Sequence, residues 1–173
     1  GADAVPTLEK LARQGRWWGV NALGKLGPAA APAAETIASL LVAEPVKRLK
    51  VEILASDGIL FVTPEYNRSM PGVLKNALDH ASRPYGQNAW AGKPAGVIGA
   101  SPGSIGTAVA QQHLRNSLAY LDMPALGQPE AFIHVKEGLF DDAGNIGNED
   151  SKKFLQNWMD HYVAWVKKHA DKQ

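Results

Sequence analysis

The sequence predicts an α/β protein built on a doubly wound parallel sheet with helices on both faces. Short apolar runs, such as Ile59–Val62 and Ala95–Gly99, are bounded by glycine and proline as buried strands often are. Each run is followed by a polar, glycine-containing loop and then by a segment with apolar residues at helical spacing. Strands that alternate with helices indicate βαβ units and therefore a parallel sheet. At 173 residues the chain suits a single domain, residues 1–173.

The N-terminal quarter must supply the first two strands if the sheet is complete. We place these strands near residues 4–9 and 36–42, although neither segment shows clean alternation. A helix is then predicted over residues 45–56, because Pro45 suits a first helical position and the apolar residues after it share one face.

The third strand is predicted over residues 58–63, and a helix over residues 71–82 with Ser69 as its cap. Residues 83–93 form a loop rich in proline, glycine and aromatic residues. The apolar residues of the helix lie on one stripe: Val73, Leu74, Ala77, Leu78 and Ala81.

The second half of the chain repeats the alternation. A strand over 95–99 precedes a helix over 107–121, and a shorter strand over 130–135 leads into the turn-rich residues 141–147. The final helix is predicted over 150–169. Two rows of its apolar residues are predicted to pack in the core: Phe154, Trp158 and Tyr162, and Leu155, Met159, Val163 and Val166.

Two loops are the first candidates for a ligand site. Right-handed crossovers place the loops 64–70 and 101–106 on the same edge of the sheet, outside the carboxyl ends of two strands. The first loop combines an acid, an aromatic ring, an amide and a base, in the order Glu65, Tyr66, Asn67 and Arg68. From the residues alone, Glu65 as a solvated acid and Tyr66 as ordinary loop packing remain alternatives.

Composition excludes several classes of function. The net charge of +1 gives no electrostatic basis for binding nucleic acid or an anionic membrane. The absence of cysteine excludes disulfides, thiol nucleophiles, iron–sulfur ligation and cysteine-based zinc sites, and it fits a cytoplasmic location. No apolar run reaches the length of a membrane span and no signal-peptide pattern is present, so no membrane contact is expected.

Two other kinds of site are weighed against the sequence. Gly99-Ala-Ser101-Pro-Gly103 matches the nucleophile elbow of α/β-hydrolases, with Asp141 and His161 in the right order for a triad. The residue after the nucleophile must donate its backbone N–H to the oxyanion hole, and Pro102 has none, so this interpretation is disfavoured. The five histidines show no metal-ligand spacing, and no metal site is predicted.

Four separated blocks of the chain carry a resemblance to a known family. They are FVTPEYNRSMPGVLKNALD at 61–79, AGKPAGVIGASPGSIG at 91–106, QHLRNSLAYLD at 112–122 and PEAF at 129–132. In order and spacing they resemble the NAD(P)H-dependent FMN reductases, a family that includes chromate and quinone reductases and some azoreductases. The resemblance covers roughly residues 45–170.

This resemblance implies a flavodoxin-like five-stranded sheet that binds FMN non-covalently and takes electrons from NADH or NADPH. It implies a homodimer or homotetramer that reduces quinones, azo compounds, free flavin or metal oxyanions such as chromate in a ping-pong cycle. Because flavin N5 performs the chemistry, no catalytic side chain is assigned. The implied cofactor-binding residues are Pro64, Glu65, Tyr66, Asn67, Arg68, Ser69, Ser101, Pro102, Gly103, Gly106 and, for the phosphate, Arg13.

The segment Lys10–Gly15 differs from the family pattern. The family's first strand ends in a Gly-Ser-Leu-Arg loop that holds the FMN phosphate, and here only Arg13 and Gly15 match that motif. An alternative function is therefore a flavodoxin-like binding or interaction protein that has lost tight FMN binding.

Overall fold

The structure is a computed structural model that describes residues 34–170, with side chains described from residue 44 onward. The chain divides into two units, residues 1–49 and 50–173. The described part of the first unit is helical, and within it Lys47 Nζ lies 2.8 Å from Glu44 Oε1. The single-domain organisation stays a prediction.

The described elements alternate between helix and strand, as the sequence predicts. None of the helices among the described residues is both long and apolar enough to span a membrane. In chain order the elements are α1 (Ala34–Ala55), β1 (Ile59–Val62), α2 (Gly72–Ala81), β2 (Ala95–Ser101), α3 (Ala108–Tyr120), β3 (Phe132–His134) and α4 (Glu149–Ala170).

The three strands of the described residues form one parallel sheet in the order β1-β2-β3. Val62 pairs in register with Ile98, and Gly99 pairs with Phe132. The predicted parallel α/β class is therefore confirmed. The predicted count of five strands is not, because only three strands occur in residues 34–170.

The predicted N-terminal strands have different outcomes. The strand near 4–9 lies outside the described residues, and the strand near 36–42 is wrong because those residues belong to α1. Ala38, Leu40 and Leu41 favour helix in this segment, and the sequence lacks the alternation of a half-buried strand. Pro45 lies inside α1 rather than at its start, although an interior proline removes one backbone hydrogen bond from a helix.

The carboxyl end of α1 is stabilised by a buried cation. Lys93 is 8% exposed, and its Nζ donates hydrogen bonds to the carbonyl oxygens of Leu54 and Ser56, at 3.1 and 2.9 Å. One carbonyl lies in the last turn of α1 and the other just beyond it, where no N–H group of the helix remains to donate to them. A positive charge also complements the negative end of the helix dipole. Lys93 thus joins the end of α1 to the segment that enters β2.

Helix α4 covers the face of the sheet on which Gly96 and Ile98 lie. Trp158 and Tyr162 stack with ring centroids 5.8 Å apart, and Ile98 packs against the cluster that contains them. Gly96 makes this approach possible, because any side chain there would project into the two rings.

Helix α2 lies on the opposite face of the sheet. Successive residues of a strand point to opposite faces, so Phe61 and its register partner Val97 point away from α4. The Phe61 ring lies 5.9 Å from that of Trp90, whose Nε1 donates a 3.0 Å hydrogen bond to Leu78 O of α2. Helices therefore cover both faces of the sheet.

Some predicted core and cap residues are placed differently. Met159 and Val163 are 38 and 42% exposed, because the row containing Trp158 and Tyr162 is the one that faces the sheet. Phe154 belongs to that row but is 45% exposed, so only two of its three residues are in the core. In β1 only one face of the strand is buried, since Phe61 is 6% exposed and Val62 is 71% exposed. The residue at the N-cap of α2 is Pro71 rather than Ser69, and no side chain caps this helix.

We expect Gly96→Ala to lower the free energy of unfolding by about 1–3 kcal/mol. The new Cβ would lie 2.5 Å from Tyr162 Cδ2 and 3.0 Å from Trp158 Cη2, so the α4 rings would have to move off the sheet. Urea unfolding followed by tryptophan fluorescence measures the change.

The matched control is Gly127→Ala, because a Cβ at Gly127 meets no atom within 4 Å. Equal midpoints for the two variants would contradict the proposed packing of α4 against Gly96.

Candidate functional site

The loops that follow β1 and β2 leave the sheet side by side. Thr63 N donates a 3.0 Å hydrogen bond to Ile98 O, which continues the pairing of the two strands to their carboxyl ends. A Cβ at Gly99 would collide with Thr63 O and Thr107 Oγ1, so the absence of a side chain lets the three segments meet. We call residues 64–71 the first loop, and residues 101–107, which start at the last residue of β2, the second loop.

The first loop contains a tight hairpin. Tyr66 and Ser69 exchange backbone hydrogen bonds of 2.9 and 3.0 Å. Between them, Asn67 and Arg68 adopt positive φ angles of 51° and 63°. Two consecutive residues in this region are typical of a type I′ turn, in which asparagine is favoured but arginine is not. The hairpin tip is therefore held in a conformation that its own sequence only partly favours.

Glu65 joins the first loop to the start of α3. Its Oε2 accepts hydrogen bonds from the backbone N–H groups of Val109 and Ala110, each at 3.1 Å. The side chain is 8% exposed, and Oε1 lies 3.7 Å from Arg68 Nη1. A carboxylate is well suited to this place because the amino end of a helix carries unpaired N–H groups and a partial positive charge.

A second contact links the same two segments one turn further along α3. Ser69 Oγ and His113 Nδ1 lie 3.0 Å apart and share a hydrogen bond. His113 follows Val109 by four residues, so both contacts fall on one side of the helix. The base of the hairpin is thus attached to α3 on each side of its tip.

The second loop is held by its own hydroxyl and by β3. Ser101 Oγ donates to Gly106 O at 2.5 Å and accepts from Gly103 N at 3.2 Å. Gly106 has a φ of 58°, and a Cβ there would press into the backbone of Phe132 and Ile133. Glycine is therefore required at Gly106 both for its conformation and for its contact with β3.

The tips of both loops present hydrogen-bond donors to solvent. The backbone N–H groups of Asn67, Arg68, Ser104 and Ile105 donate to no acceptor among the described residues, and all four residues are exposed. Tyr66 is 60% exposed beside them. Free amide donors together with an exposed aromatic ring fit a flat ligand that has polar atoms along its edge.

The structure thus brings the predicted residues of the two loops to one edge of the sheet. They are Pro64, Glu65, Tyr66, Asn67, Arg68, Ser69, Ser101, Pro102, Gly103 and Gly106. Arg13 lies outside the described residues. Their roles in binding stay predictions, and the Glu65 side chain in particular is directed at α3.

Sequence reasoning missed the contribution of α3 to the site. Val109, Ala110 and His113 hold the first loop, yet their partners lie 44 or 45 residues away in the chain. One feature of the sequence pointed to this contribution. The first turn of α3 contains no acidic residue, so an acceptor for its N–H groups had to come from elsewhere in the chain.

The residues of the alternative hydrolase triad form hydrogen bonds with other partners. His161 Nδ1 lies 2.8 Å from Asn157 O on its own helix, and Ser101 Oγ is occupied within the second loop. Asp141 accepts hydrogen bonds from Asn145, which lower the pKa of its carboxyl. Residues 44–170 also contain no cluster of histidine, aspartate and glutamate that could hold a metal ion.

Arg115 of α3, which lies in the block 112–122, has a shifted pKa. Desolvation by burial lowers its pKa, and the charge of Glu130 partly offsets this effect. Nη1 donates a 2.6 Å hydrogen bond to Leu126 O, which lies after α3. This contact is intrachain and fixes the segment between α3 and β3.

Comparison with known proteins identifies similar sequences and similar solved structures. The profile of the family described as NADPH-dependent FMN reductase matches residues 27–138. A 2-hydroxy-1,4-benzoquinone reductase from Burkholderia sp is 57% identical over 124 residues, which are 72% of this chain and 68% of the relative. A quinone reductase from Pseudomonas putida is 53% identical over 121 residues, 70% of this chain and 64% of the relative.

One similar solved structure is that of FerB, a flavoenzyme NAD(P)H:(acceptor) oxidoreductase from Paracoccus denitrificans. Its TM-score is 0.70 at 50% sequence identity, over 73% of this chain and 69% of that one. The chain thus spans about two thirds of the length of these three relatives.

We expect Ser101 to remain unlabelled by a fluorophosphonate, because its hydroxyl donates its hydrogen bond to Gly106 O rather than to a histidine base. Mass spectrometry of the intact protein after incubation measures the result. A covalent adduct that is lost in Ser101→Ala would restore the hydrolase interpretation.

Proposed function

The chain belongs to the NADPH-dependent FMN reductase family, and on this basis we propose that it is an FMN-dependent oxidoreductase that transfers electrons from NADH or NADPH to quinones. The observation that supports the proposal is that the two loops start side by side at one edge of the sheet. Within the described residues, both loops carry amide donors without an acceptor, and the first loop also carries the exposed ring of Tyr66.

The residues present fit the isoalloxazine ring of FMN. The ring has carbonyl oxygens and nitrogens along its edge, which the N–H groups of Asn67, Arg68, Ser104 and Ile105 would satisfy. Tyr66 would pack against an aromatic face, either of the flavin or of the nicotinamide. When bound, FMN supplies the hydride-accepting chemistry, while the loops supply binding and orientation. Arg13 is proposed for the phosphate.

The proposed acceptors are flat or diffusible oxidants. The Burkholderia and Pseudomonas relatives are named for quinones, and an open edge lined by amide donors places few steric demands on an acceptor. We extend the proposal to azo compounds, free flavin and metal oxyanions such as chromate. Nicotinamide and acceptor would use the same opening in turn, which is compatible with a ping-pong cycle. We further propose a cytoplasmic homodimer or homotetramer with the flavodoxin-like fold.

The purified protein should be yellow or become yellow with FMN. It should then lose flavin absorbance when mixed with NADH or NADPH in a stopped-flow instrument, and regain it when 1,4-benzoquinone is added. A flavin that binds but stays oxidised with both nucleotides would refute the reductase. A colourless protein that FMN cannot reconstitute would favour the alternative, a flavodoxin-like binding protein.

Gly103→Val tests whether the second loop faces the flavin. A Cβ at Gly103 meets only Ser101 Oγ, at 3.5 Å, so the variant should fold normally. An added side chain that crowds the ring should weaken FMN binding about tenfold or more, as expected for an overpacking cost of about 1–3 kcal/mol. Quenching of FMN fluorescence gives the dissociation constant.

Gly127→Val is the matched control, since Gly127 also has free space around it but lies between α3 and β3. Equal FMN affinity for the two variants would show that the second loop does not contact the flavin.

A further inference from the structure

We infer that Glu65 is a positioning residue that fixes the first loop in its ligand-binding shape by capping α3 from a distance of 44 residues in the chain. The inference rests on the proposed function, because it takes FMN as the ligand that the loop receives. In this inference the side chain of Glu65 binds α3, and the ligand is bound by the backbone of the loop.

The first step is the geometry of the carboxylate. Oε2 accepts from the N–H groups of Val109 and Ala110, both at 3.1 Å, and the side chain is almost fully buried. Val109 and Ala110 are the second and third residues of α3, which are the positions that a helix-capping side chain normally serves. Hydrogen bonds to an ionised carboxylate at the positive end of a helix are stronger than neutral ones.

The second step is that no local residue takes this role. Thr107 occupies the N-cap position of α3, but its side chain makes no capping hydrogen bond. Its Oγ1 instead accepts a 2.9 Å hydrogen bond from Gln111 Nε2, in a fully buried setting. Without Glu65, the two N–H groups at the start of α3 would lose their protein acceptor.

The third step is that the loop needs an external support. Asn67 and Arg68 both have positive φ angles, a conformation that persists only where the surrounding structure imposes it. Glu65 and Ser69 bracket this tip, and both are bonded to α3, at its first turn and at His113. Since α3 begins directly after the second loop, the same contacts also couple the two loops.

The test compares Glu65→Ala and Glu65→Gln with the wild-type protein. Hydrogen exchange of the Tyr66, Ser69, Val109 and Ala110 amides is measured by NMR without FMN, and FMN affinity is measured separately. In Glu65→Ala we expect exchange at these amides to rise about tenfold and FMN to bind about tenfold more weakly, since hydrogen bonds to a charged group are lost. Glu65→Gln should keep both within about threefold, because its amide oxygen still accepts from both N–H groups.

Glu137→Ala is the control, as it removes an exposed acid from the loop after β3 and should change neither readout. If Glu65→Ala does not fold, Glu65→Asp replaces it: it keeps the charge, but its side chain is one methylene too short to reach α3, and the same losses are expected.

The inference is overturned if Glu65→Ala leaves exchange at Tyr66 and Ser69 unchanged, or if exchange rises while FMN affinity stays at the wild-type value. Failure of the proposed function looks different: the wild-type protein then binds no FMN, yet faster exchange at Tyr66 and Ser69 in Glu65→Ala still supports Glu65 as the residue that fixes the loop.

Discussion

The structure depends on the close approach that β2 allows on both of its faces. Gly96 lets Trp158 and Tyr162 of α4 lie directly on the sheet, and Gly99 lets Thr63 and Thr107 meet where the strands end. In both places a methyl group would occupy the space that the neighbour fills. Two glycines on opposite faces of one central strand therefore determine how closely the helices and the adjoining loops pack.

The candidate site follows from this packing. Because the ends of β1 and β2 are held together at Gly99, the two loops start side by side, and α3 begins within reach of the first loop. The contacts of Glu65 and Ser69 with α3 then support a hairpin tip with two residues at positive φ. A strained tip held by contacts with α3 on the protein side leaves its amides free for a ligand on the open side.

The sequence predicts most of the described elements well, and the errors have identifiable causes. Strands such as 58–63 and 95–99 are found because apolar runs between glycine and proline are local signals. Residues 36–42 form helix instead of strand, and a short apolar segment without alternation does not distinguish the two. The exposure of Met159 and Val163 was not predictable, because helical spacing shows that a row exists but not which row meets the sheet.

The sequence by itself determined the parallel α/β class and the meeting of two polar loops at one sheet edge. Both follow from the order of strand, loop and helix, which the local spacing of apolar residues indicates. Only the tertiary structure decided that the Glu65 carboxylate turns to the amides of α3 rather than to a ligand. Its partners are backbone groups far along the chain, and backbone groups carry no residue-specific signal, so folding alone brings the acid and the helix together.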